Sequence, residues 1–423
     1  MSPEPPPLEP SVWDAVIVGA GAAGLMAAAE AAICGARTLL VEKNRKPGVK
    51  ILMSGGTRCN ITQATDNRGI VAAFGAAGRF LHSPLAALSV AETIELFHSE
   101  GVLTKVEPTG KIFPASDKAV DVQAALVRRV ERSGATLALG EGVLEVQRED
   151  EGFRLTTTRR IVLARKLLIT TGGQSYPGCG TIGEGYRWAA QFGHTIVAPR
   201  PALVPITTPS TWVRALGGIT IPDVLVRVRD EAGRALAERR GSLLFAHFGL
   251  SGPVILDVSR VVSGHPQPRS LSLECNFLPA LDVEQLVASW RAQAQVAGKK
   301  QLLSVVAEQL PQRLCEALLA TAQLSPQMKV AELSQRAWHE AAAALLKQSI
   351  PIEGTLGFKK AEVTAGGVAL GEVNSSTMQS KLVPNLFLAG EVLDLDGPIG
   401  GYNFQAAWST GTLAGRKMAE DWA

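Results

Sequence analysis

Apolar runs at the start of the chain predict a βαβ unit. The continuous apolar segment Asp14–Val18 is typical of a buried parallel strand. A glycine turn follows it, and then an alanine-rich helix to about Ala32 and a second strand at Thr38–Val41. The next stretch, residues 44–69, is rich in Gly, Asn and Thr and is predicted to be a loop.

The pattern then predicts two helices and an antiparallel meander. Ser83 is a natural N-cap for a helix at Pro84–His98, because proline is favoured at the first helical position. A second helix is expected from about Lys118 to Glu131. Short strands separated by turn residues follow, and the last of them ends abruptly at two glycines: Val143–Gln147, Phe153–Thr157, Ile161–Ala164 and Leu167–Thr170.

Beyond about Ala198 the pattern becomes β-rich, with a hairpin signal at Asp230–Gly233. From about Asp282 to Lys347 the chain is rich in Ala, Leu and Gln and is predicted to be helical. After Pro351 the α/β pattern returns. It predicts two strands and a final helix: Ala361–Thr364, Leu386–Ala389 and about Gly401–Glu420.

These patterns predict the α/β fold class, with one Rossmann-type domain split in two by a β segment and a helical segment. The predicted parts, in chain order and with the β insert returning briefly after the helices, are a disordered tail (1–12), the first part of the dinucleotide domain (13–197), the β insert (198–277 and 348–356), the helical insert (278–347) and the second part of the dinucleotide domain (357–423).

Composition excludes several classes of protein. The five cysteines are odd in number, scattered and without a CxxC pair, which argues against a disulfide framework or a metal site and suits a cytoplasmic protein. No apolar stretch is long enough to span a membrane. The formal net charge of +3 neither requires nor excludes a nucleic-acid partner. Hydrolase and NTPase motifs are absent from the sequence.

A GxGxxG turn between the first strand and helix predicts a dinucleotide site. Gly19 permits the tight turn, Gly21 lets a pyrophosphate approach the backbone, and Gly24 allows close packing of helix and strand. Ala22 and Ala23 begin the helix, whose N-terminus favours phosphate. Glu42 ends the second strand, where an acid can bind ribose hydroxyls.

The other end of the chain favours FAD over a nicotinamide cofactor. The meander leads into Thr171, Gly172 and Gly173, a crossover arrangement found in two-part FAD domains. A buried strand ends at Gly390 and Glu391, where an acid can bind ribityl hydroxyls. The helix that opens at Gly401 can stabilise the negative charge of a reduced flavin. No second GxGxxG is present, which argues against a tightly held nicotinamide cofactor.

Five segments together resemble a bacterial family of NAD(P)/FAD-dependent, aminoacetone-oxidase-like FAD-binding flavoproteins. They are VGAGAAGL, GVKILMSGGTRCNIT, TTGGQSYPGCGTIGEGY, GSLLFAHFGLSGPVILDVS and the C-terminal segment from VTAGGV to TMQSKLVPNLFLAGEVLDLDGPIGGYNFQAAW. The resemblance covers nearly the whole chain after the tail. It implies a split FAD domain with an inserted β-barrel-like domain and a small helical insert. It also implies NAD(P)H as a transient reductant.

The second segment, Gly48–Thr62, is a polar glycine loop able to wrap phosphates or line a flavin ring, and the resemblance implies that it contacts the cofactor. The chain departs from the family pattern at Val49, Thr57 and Gln63, which leaves FAD binding as predicted and the substrate open. Apart from the GxGxxG turn and Glu42, the residues predicted to contact the cofactor are Lys43, Lys50, Ser54, Gly55, Gly56, Arg58, Cys59, Asn60, Val143, Thr171, Gly172, Gly173, Gly367, Gly390, Glu391, Gly401, Tyr402 and Asn403.

Four residues are candidates for catalysis. Cys59 is a possible proton donor or nucleophile, and a small buried residue is its alternative. His247 can donate a proton or bind an anionic substrate, and a hydrogen-bonded structural histidine is its alternative. Tyr176 belongs to the family pattern, whereas nearby Cys179 is interpreted as incidental. Tyr402 begins the last helix, where it would contact flavin or substrate.

Arg58 can hold a pyrophosphate or an anionic substrate, with a surface salt bridge as the alternative.

Family members are associated with reduction of steroid acids and of uridine to dihydrouridine in large-subunit rRNA, so the leading hypothesis is NAD(P)H-linked reduction of an activated C=C bond. The alternatives are an amine or aminoacetone oxidase that uses O₂, and a non-catalytic flavoprotein. The substrate is either a small molecule or rRNA. Basic residues that could grip RNA, or could equally be solvated surface, are Arg227, Arg229, Arg234, Arg239, Arg240, Lys299 and Lys300.

Overall fold

The computed structural model describes residues 12–296 and 298–421. Contacts within it divide the chain into two compact units. The first unit combines the chain up to Arg200 with the segment from Glu362 onward, and the second unit is Pro201–Ala361. The predicted tail lies outside the described residues except for Val12, which begins the first strand.

The elements that begin before residue 201 alternate between strands and helices. The strands are β1 (Val12–Val18), β2 (Thr38–Glu42), β3 (Thr62–Gln63), β4 (Thr104–Val106), β5 (Lys111–Pro114), β6 (Thr136–Leu139), β7 (Val143–Glu149), β8 (Gly152–Thr157), β9 (Ile161–Ile169) and β10 (Ile196–Ala202). The helices are α1 (Ala22–Ile33), α2 (Val49–Thr57), α3 (Asn67–Ala73), α4 (His82–Ala87), α5 (Val90–Ser99), α6 (Ala119–Arg132) and α7 (Glu184–Gln191).

Later elements complete both units. Those of the second unit are β11 (Ile206–Thr207), α8 (Thr211–Ala215), β12 (Thr220–Arg229), β13 (Ala235–Ala246), β14 (Gly249–Ser251), α9 (Pro253–Gly264), β15 (Ser272–Asn276), α10 (Val283–Val296), α11 (Leu302–Val306), α12 (Gln312–Thr321), α13 (Gln335–Leu346), β16 (Gln348–Pro351) and β17 (Gly354–Thr355). The first unit resumes with β18 (Val363–Val368), β19 (Leu386–Leu388) and α14 (Tyr402–Met418). Short 3₁₀ helices lie at Gly75–Leu81, Pro177–Cys179, Pro268–Ser270, Val330–Glu332, Leu370–Glu372 and Gly390–Val392.

A mostly parallel sheet forms the centre of the first unit. Its strands run in the order β6, β2, β1, β9, β8, β7, and β19 also pairs with β9. The strands β6, β2, β1, β9 and β19 pair in parallel, whereas β7 and β8 are antiparallel additions. All of β2 and the last four residues of β1 are buried, as expected of a sheet covered on both faces. The predicted α/β class with a split Rossmann-type domain is confirmed.

Four local predictions differ from the structure. The stretch expected to be a loop contains α2, which is interrupted by non-helical Ser54, Gly55 and Gly56, and α3, which is capped by Asp66. The single helix expected over Pro84–His98 is two helices, because Ser89 and Glu92 form a capping box that starts a new helix.

The two strands expected over residues 161–170 are one strand, β9. Its residues 161–164 pair antiparallel with β8, and its residues from 163 to 169 pair in parallel with β1, the last three also with β19. The β-rich stretch of the second unit also contains two helices that its strand pattern does not predict, α8 and α9. Because α9 begins with Pro253 directly after Gly252, a proline at the first helical position was the available signal.

Helices α1 and α14 pack together unusually closely in the first unit. A Cβ at Gly411 would lie 2.3 Å from the carbonyl oxygen of Ala23, and one at Gly415 would lie 2.4 Å from that of Ala27. Both contacts advance by four residues along both helices in the same direction, so the helices run parallel. Their N-termini therefore face the same end of the unit.

The second unit has one core shared by its strands and helices. Its antiparallel sheet runs in the order β16, β15, β12, β13, β14, β11, β17. Phe245 and Phe277 stack with ring centroids 6.2 Å apart, and Trp290 and Trp338 lie 6.1 Å apart within the same hydrophobic cluster. The segments predicted as separate β and helical inserts thus share one hydrophobic core.

The close helix contact gives a first testable prediction. We expect Gly411→Ala to lower the free energy of unfolding by about 1–3 kcal/mol, because the added methyl group meets backbone and the helices must separate. Urea denaturation followed by circular dichroism measures this loss. The matched control is Gly371→Ala, where a Cβ meets nothing within 4 Å. Equal stability of the two variants would contradict the packing argument.

Candidate functional site

In the glycine turn between β1 and α1, two of the three glycines leave no room for a side chain, and the third faces open space. Gly19 has φ +104°, and a Cβ there would lie 2.8 Å from the carbonyl oxygen of Thr170. A Cβ at Gly24 would lie 1.9 Å from the carbonyl oxygen of Gly19, whereas one at Gly21 would meet nothing within 4 Å. The open space at Gly21 lies at the N-terminus of α1, which has no side-chain cap. This arrangement suits a phosphate group bound by backbone N–H groups.

Glu42 is buried at the end of β2, beside the glycine turn. Its Oε2 accepts a hydrogen bond from Ala20 N at 2.8 Å, and its Oε1 accepts one from Asn44 N at 2.8 Å. A carboxylate has about four acceptor sites, so both oxygens can still accept from a pair of ribose hydroxyls. Gly48 N donates to Ala20 O at 2.7 Å and thereby joins the predicted cofactor loop to the same turn.

A second carboxylate, Glu391, lies at the end of β19 and joins several segments. Lys50 Nζ donates to Glu391 Oε2 at 2.6 Å and to Ser175 Oγ at 2.6 Å. Ser175 Oγ and Thr364 N both donate to Glu391 Oε1, at 2.9 and 2.8 Å. Gly390 is within van der Waals reach of Ala23, which places this network next to the start of α1.

Ser175 and Thr364 are not among the predicted site residues. Ser175 lies in the loop after Gly173, and Thr364 lies in β18, so their meeting at Glu391 depends on chain segments almost 200 residues apart. The only sequence signal was the position of Ser175 two residues beyond a predicted cofactor glycine.

The N-terminus of α14 lies well beyond that of α1. The register of the two parallel helices places Ala23 opposite Gly411, so α14 begins about eight residues earlier along the shared axis, or about 12 Å at 1.5 Å per residue. Neither N-terminus has a side-chain cap. An elongated ligand can therefore place a phosphate at α1 and a second electron-rich group at α14.

The predicted glycine loop packs against the start of α14. Gly401 has φ +94°, and a Cβ there would lie 2.5 Å from the carbonyl oxygen of Thr62. With the Asn60 amide oriented to satisfy its neighbours, Oδ1 accepts from Gly401 N at 3.0 Å and Nδ2 donates to the carbonyl oxygens of Thr62 and Ile112. The end of the glycine loop is therefore fixed directly against the N-terminus of α14.

Tyr402 and Asn403 occupy the first turn of α14, but Asn403 has a local role. Its Oδ1 accepts from Gly397 N at 2.8 Å, and its Nδ2 donates to the carbonyl oxygens of Gly397 and Pro398. Asn403 thus holds the loop before the helix. Tyr402 is partly buried beside Gly400.

Arg58 forms the surface salt bridge that was its alternative explanation. Its Nη1 lies 2.6 Å from Glu107 and 3.4 Å from Asp117. The guanidinium carbon lies 4.0 Å from the centroid of the Phe113 ring. The positive charge of Arg58 is therefore paired with carboxylates of the protein itself.

Cys59 is fully buried with φ +62°. Burial raises the pKa of the Cys59 thiol to about 12, and a hydrogen bond with Ser54 offsets only part of that increase. The thiol is therefore protonated at neutral pH, as expected of a small buried residue and not of a nucleophile.

The remaining predicted residues are distributed between the two units. Tyr176 has φ +56° and precedes the short 3₁₀ helix at Pro177. His247 lies in the second unit, exposed and edge-on to Phe248. Most of the other predicted residues in the first unit have structural contacts: Lys43 pairs with Glu184, Ser54 Oγ donates to Ile51 O, Gly55 packs on Asn60, Gly172 faces Glu391 and Gly367 packs on Val392. Val143 begins β7, and a Cβ at Gly56 would meet nothing within 4 Å.

Buried polar atoms beside this network lack a hydrogen-bond partner among the described residues. They are Thr171 Oγ1 and Tyr186 OH. Burial, followed by the charges of Glu391 and Asp394, raises the pKa of Tyr186, which keeps the phenol protonated. Unpaired polar atoms, the open position at Gly21, two strand-end carboxylates and two uncapped helix N-termini fit a dinucleotide such as FAD.

Most of the arginines proposed to grip RNA are paired with carboxylates. Arg227 contacts Glu238 and Glu274, and Arg229 also contacts Glu274. The remaining two pairs of this surface are Arg234 with Asp230 and Arg240 with Asp223.

Within the described ranges, no group of three or more His, Cys, Asp or Glu side chains could hold a metal ion. None of the helices in those ranges has the length and apolar character needed to cross a bilayer. The five cysteines are all free thiols.

Residues 13–417 match the family model described as HI0933-like protein Rossmann domain. The chain is 36% identical over 401 residues to the ribosomal RNA dihydrouridine synthase of Escherichia coli K12, an alignment that covers 94% of this chain and 96% of that protein. It is 30% identical over 408 residues to the 3-dehydro-bile acid delta(4,6)-reductase of Clostridium scindens, covering 96% and 98% of the two chains.

A solved structure has a similar fold. It is the 3-ketosteroid-delta4-(5alpha)-dehydrogenase of Rhodococcus jostii RHA1, with a TM-score of 0.52 and 15% sequence identity. The similarity covers 96% of this chain and 97% of that chain. At this identity the similarity concerns the fold alone.

The open position at Gly21 gives a second testable prediction. We expect Gly21→Leu to fold normally but to purify with less than a tenth of the normal flavin, because the side chain fills the space assigned to the pyrophosphate. Flavin absorbance and thermal melting of the apoprotein measure both properties. The control, Gly371→Leu, adds the same side chain at another open position and should retain the cofactor. Full flavin content in Gly21→Leu would exclude this site.

Cysteine reactivity gives a third prediction. At pH 8 we expect iodoacetamide to leave Cys59 unmodified in the folded protein, because with a pKa of about 12 roughly one thiol in ten thousand is ionised. Partly exposed Cys34 is the internal control and should be modified. Peptide mass spectrometry before and after denaturation measures both sites. Rapid labelling of Cys59 in the native state would show that its thiol is accessible and ionisable.

Proposed function

The chain belongs to the HI0933-like Rossmann-domain family and is an FAD-dependent oxidoreductase, and from this premise we propose that it reduces a uridine of large-subunit rRNA to dihydrouridine. We propose NAD(P)H as the source of electrons. The substrate is an activated C=C bond, since C5=C6 of uracil is conjugated with the C4 carbonyl group.

One observation supports rRNA over a small steroid-like substrate. Sequence identity with the rRNA dihydrouridine synthase is 36%, compared with 30% for the bile acid reductase, at nearly equal coverage. Both relatives are aligned over almost their full length, so neither comparison depends on the dinucleotide-binding motif alone. The reductase comparison makes a conjugated small molecule the second candidate.

The residues of the first unit would bind and orient the cofactor. The N–H groups at the start of α1 would bind the pyrophosphate, and Glu42 would accept hydrogen bonds from the ribose hydroxyls. Glu391, held by Lys50 and Ser175, would accept hydrogen bonds from the ribityl chain. When bound and reduced by NAD(P)H, FAD would supply the hydride that adds to C6 of the uracil ring.

The protein must also polarise the substrate and deliver a proton to C5. The positive end of the α14 dipole would stabilise negative charge near its first turn. We propose Tyr402 as the proton donor, because it occupies that turn. Tyr176, in the same unit, is the second candidate. Cys59 is excluded from this proposal because it is fully buried.

A cell-based assay gives the fourth prediction. In a host that lacks its own family member, we expect dihydrouridine in purified large-subunit rRNA only when this gene is supplied. Nucleoside mass spectrometry measures the modification, and the Gly21→Leu variant serves as the matched cofactor-deficient control. A flavin-loaded protein that produces no dihydrouridine would overturn the proposal. Purified enzyme with NADH, NADPH and conjugated 3-keto steroid acids would then test the second candidate.

A further inference from the structure

One cluster of positive charges that a nucleic acid could contact lies in the first unit, at the carboxyl ends of β2 and β6. Two basic segments, Lys43–Lys46 and Arg159–Arg160, border the chain at Gly140–Gly142. A Cβ at Gly140 would lie 3.0 Å from Arg159 Nη2 and 3.8 Å from Arg45 Cγ. A Cβ at Gly142 would lie 3.4 Å from Lys43 Cβ. We call Lys43, Arg45, Lys46, Arg159 and Arg160 the basic rim.

The backbone fixes the basic rim on both sides. Gly140 N donates to Asn44 O at 2.9 Å, and Glu141 N donates to Glu42 O at 2.9 Å. On the other side, Thr158 N donates to Gly142 O at 2.8 Å. The two basic segments therefore keep their spacing without any ligand, so little ordering of the backbone is needed for binding.

Three of the five charges have no carboxylate partner within the described ranges. Lys43 pairs with Glu184, and Arg160 pairs with buried Glu141 at 3.0 Å. The side chains of Arg45, Lys46 and Arg159 are exposed and form no such pair. This distribution differs from the arginine-rich strands of the second unit, where four of the five arginines face carboxylates.

We propose that the basic rim binds the phosphodiester backbone of the rRNA substrate, an inference that rests on the proposed function. Unpaired arginine and lysine side chains are the usual ligands of nucleic-acid phosphates. The rim follows Glu42 and Leu139, at the carboxyl ends of β2 and β6. This is the edge of the sheet that also holds the glycine turn and Glu391, so RNA anchored on the rim lies along the edge where the cofactor is expected.

RNA binding measured at several salt concentrations tests this inference. The probe is an unmodified large-subunit rRNA transcript, and the protein is the full-length flavin-loaded enzyme. We compare Arg45→Gln/Lys46→Gln/Arg159→Gln with Arg234→Gln/Arg239→Gln/Arg240→Gln, which removes the same charge from the second unit. Loss of three phosphate contacts should weaken binding by up to about a hundredfold at 0.1 M salt and reduce the salt-dependence slope by about two. The control should bind like the wild type.

Flavin content and melting temperature establish that each variant is folded. The single variant Arg45→Gln, with an expected slope change of about 0.7, provides the same test if the triple variant is unstable. Equal RNA affinity of the rim variant and wild type would overturn the inference, as would selective loss of NADPH affinity with RNA binding unchanged. Wild-type protein that binds no rRNA and forms no dihydrouridine would instead overturn the proposed function itself.

Discussion

The parallel contact between α1 and α14 is the constraint on which the cofactor domain depends. Two glycines of α14 lie against backbone carbonyl oxygens of α1, so the helices approach more closely than side chains would permit. Because the helices are parallel and offset, two uncapped N-termini face the same end of the unit and are displaced by about 12 Å along the helix axis. Together with the pairing of β19 with β9, this contact joins the two halves of the split domain and sets the offset between the two N-termini.

Two strand-end carboxylates complete this geometry in different ways. Glu42 bonds to nearby backbone and is therefore oriented by its own βαβ unit. Glu391 is oriented by Lys50, Ser175 and Thr364 N, which come from three other segments of the chain. The Glu42 site could be predicted from local spacing, whereas the partners of Glu391 could not, because they approach only after the sheet has formed.

Charge pairing separates two surfaces that look equally basic in the sequence. The arginines of β12 and β13 alternate with acids on neighbouring strands, and the resulting pairs neutralise most of their charge. In the basic rim, by contrast, Arg45, Lys46 and Arg159 remain unpaired in the described part of the chain. Cross-strand register, which a residue count does not contain, decides which surface can attract an anionic polymer.

The sequence by itself determined the Rossmann-type class, the glycine turn and the terminal acid Glu42, because these depend on periodicity and short-range spacing. It also located the two halves of the split domain at the two ends of the chain. Tertiary structure alone decided that Asn403 bonds to the loop before α14, that Arg58 forms an ion pair with Glu107 and that Cys59 is buried. Such roles depend on which groups the folded chain brings next to each side chain, and the chemistry of a side chain does not specify those neighbours.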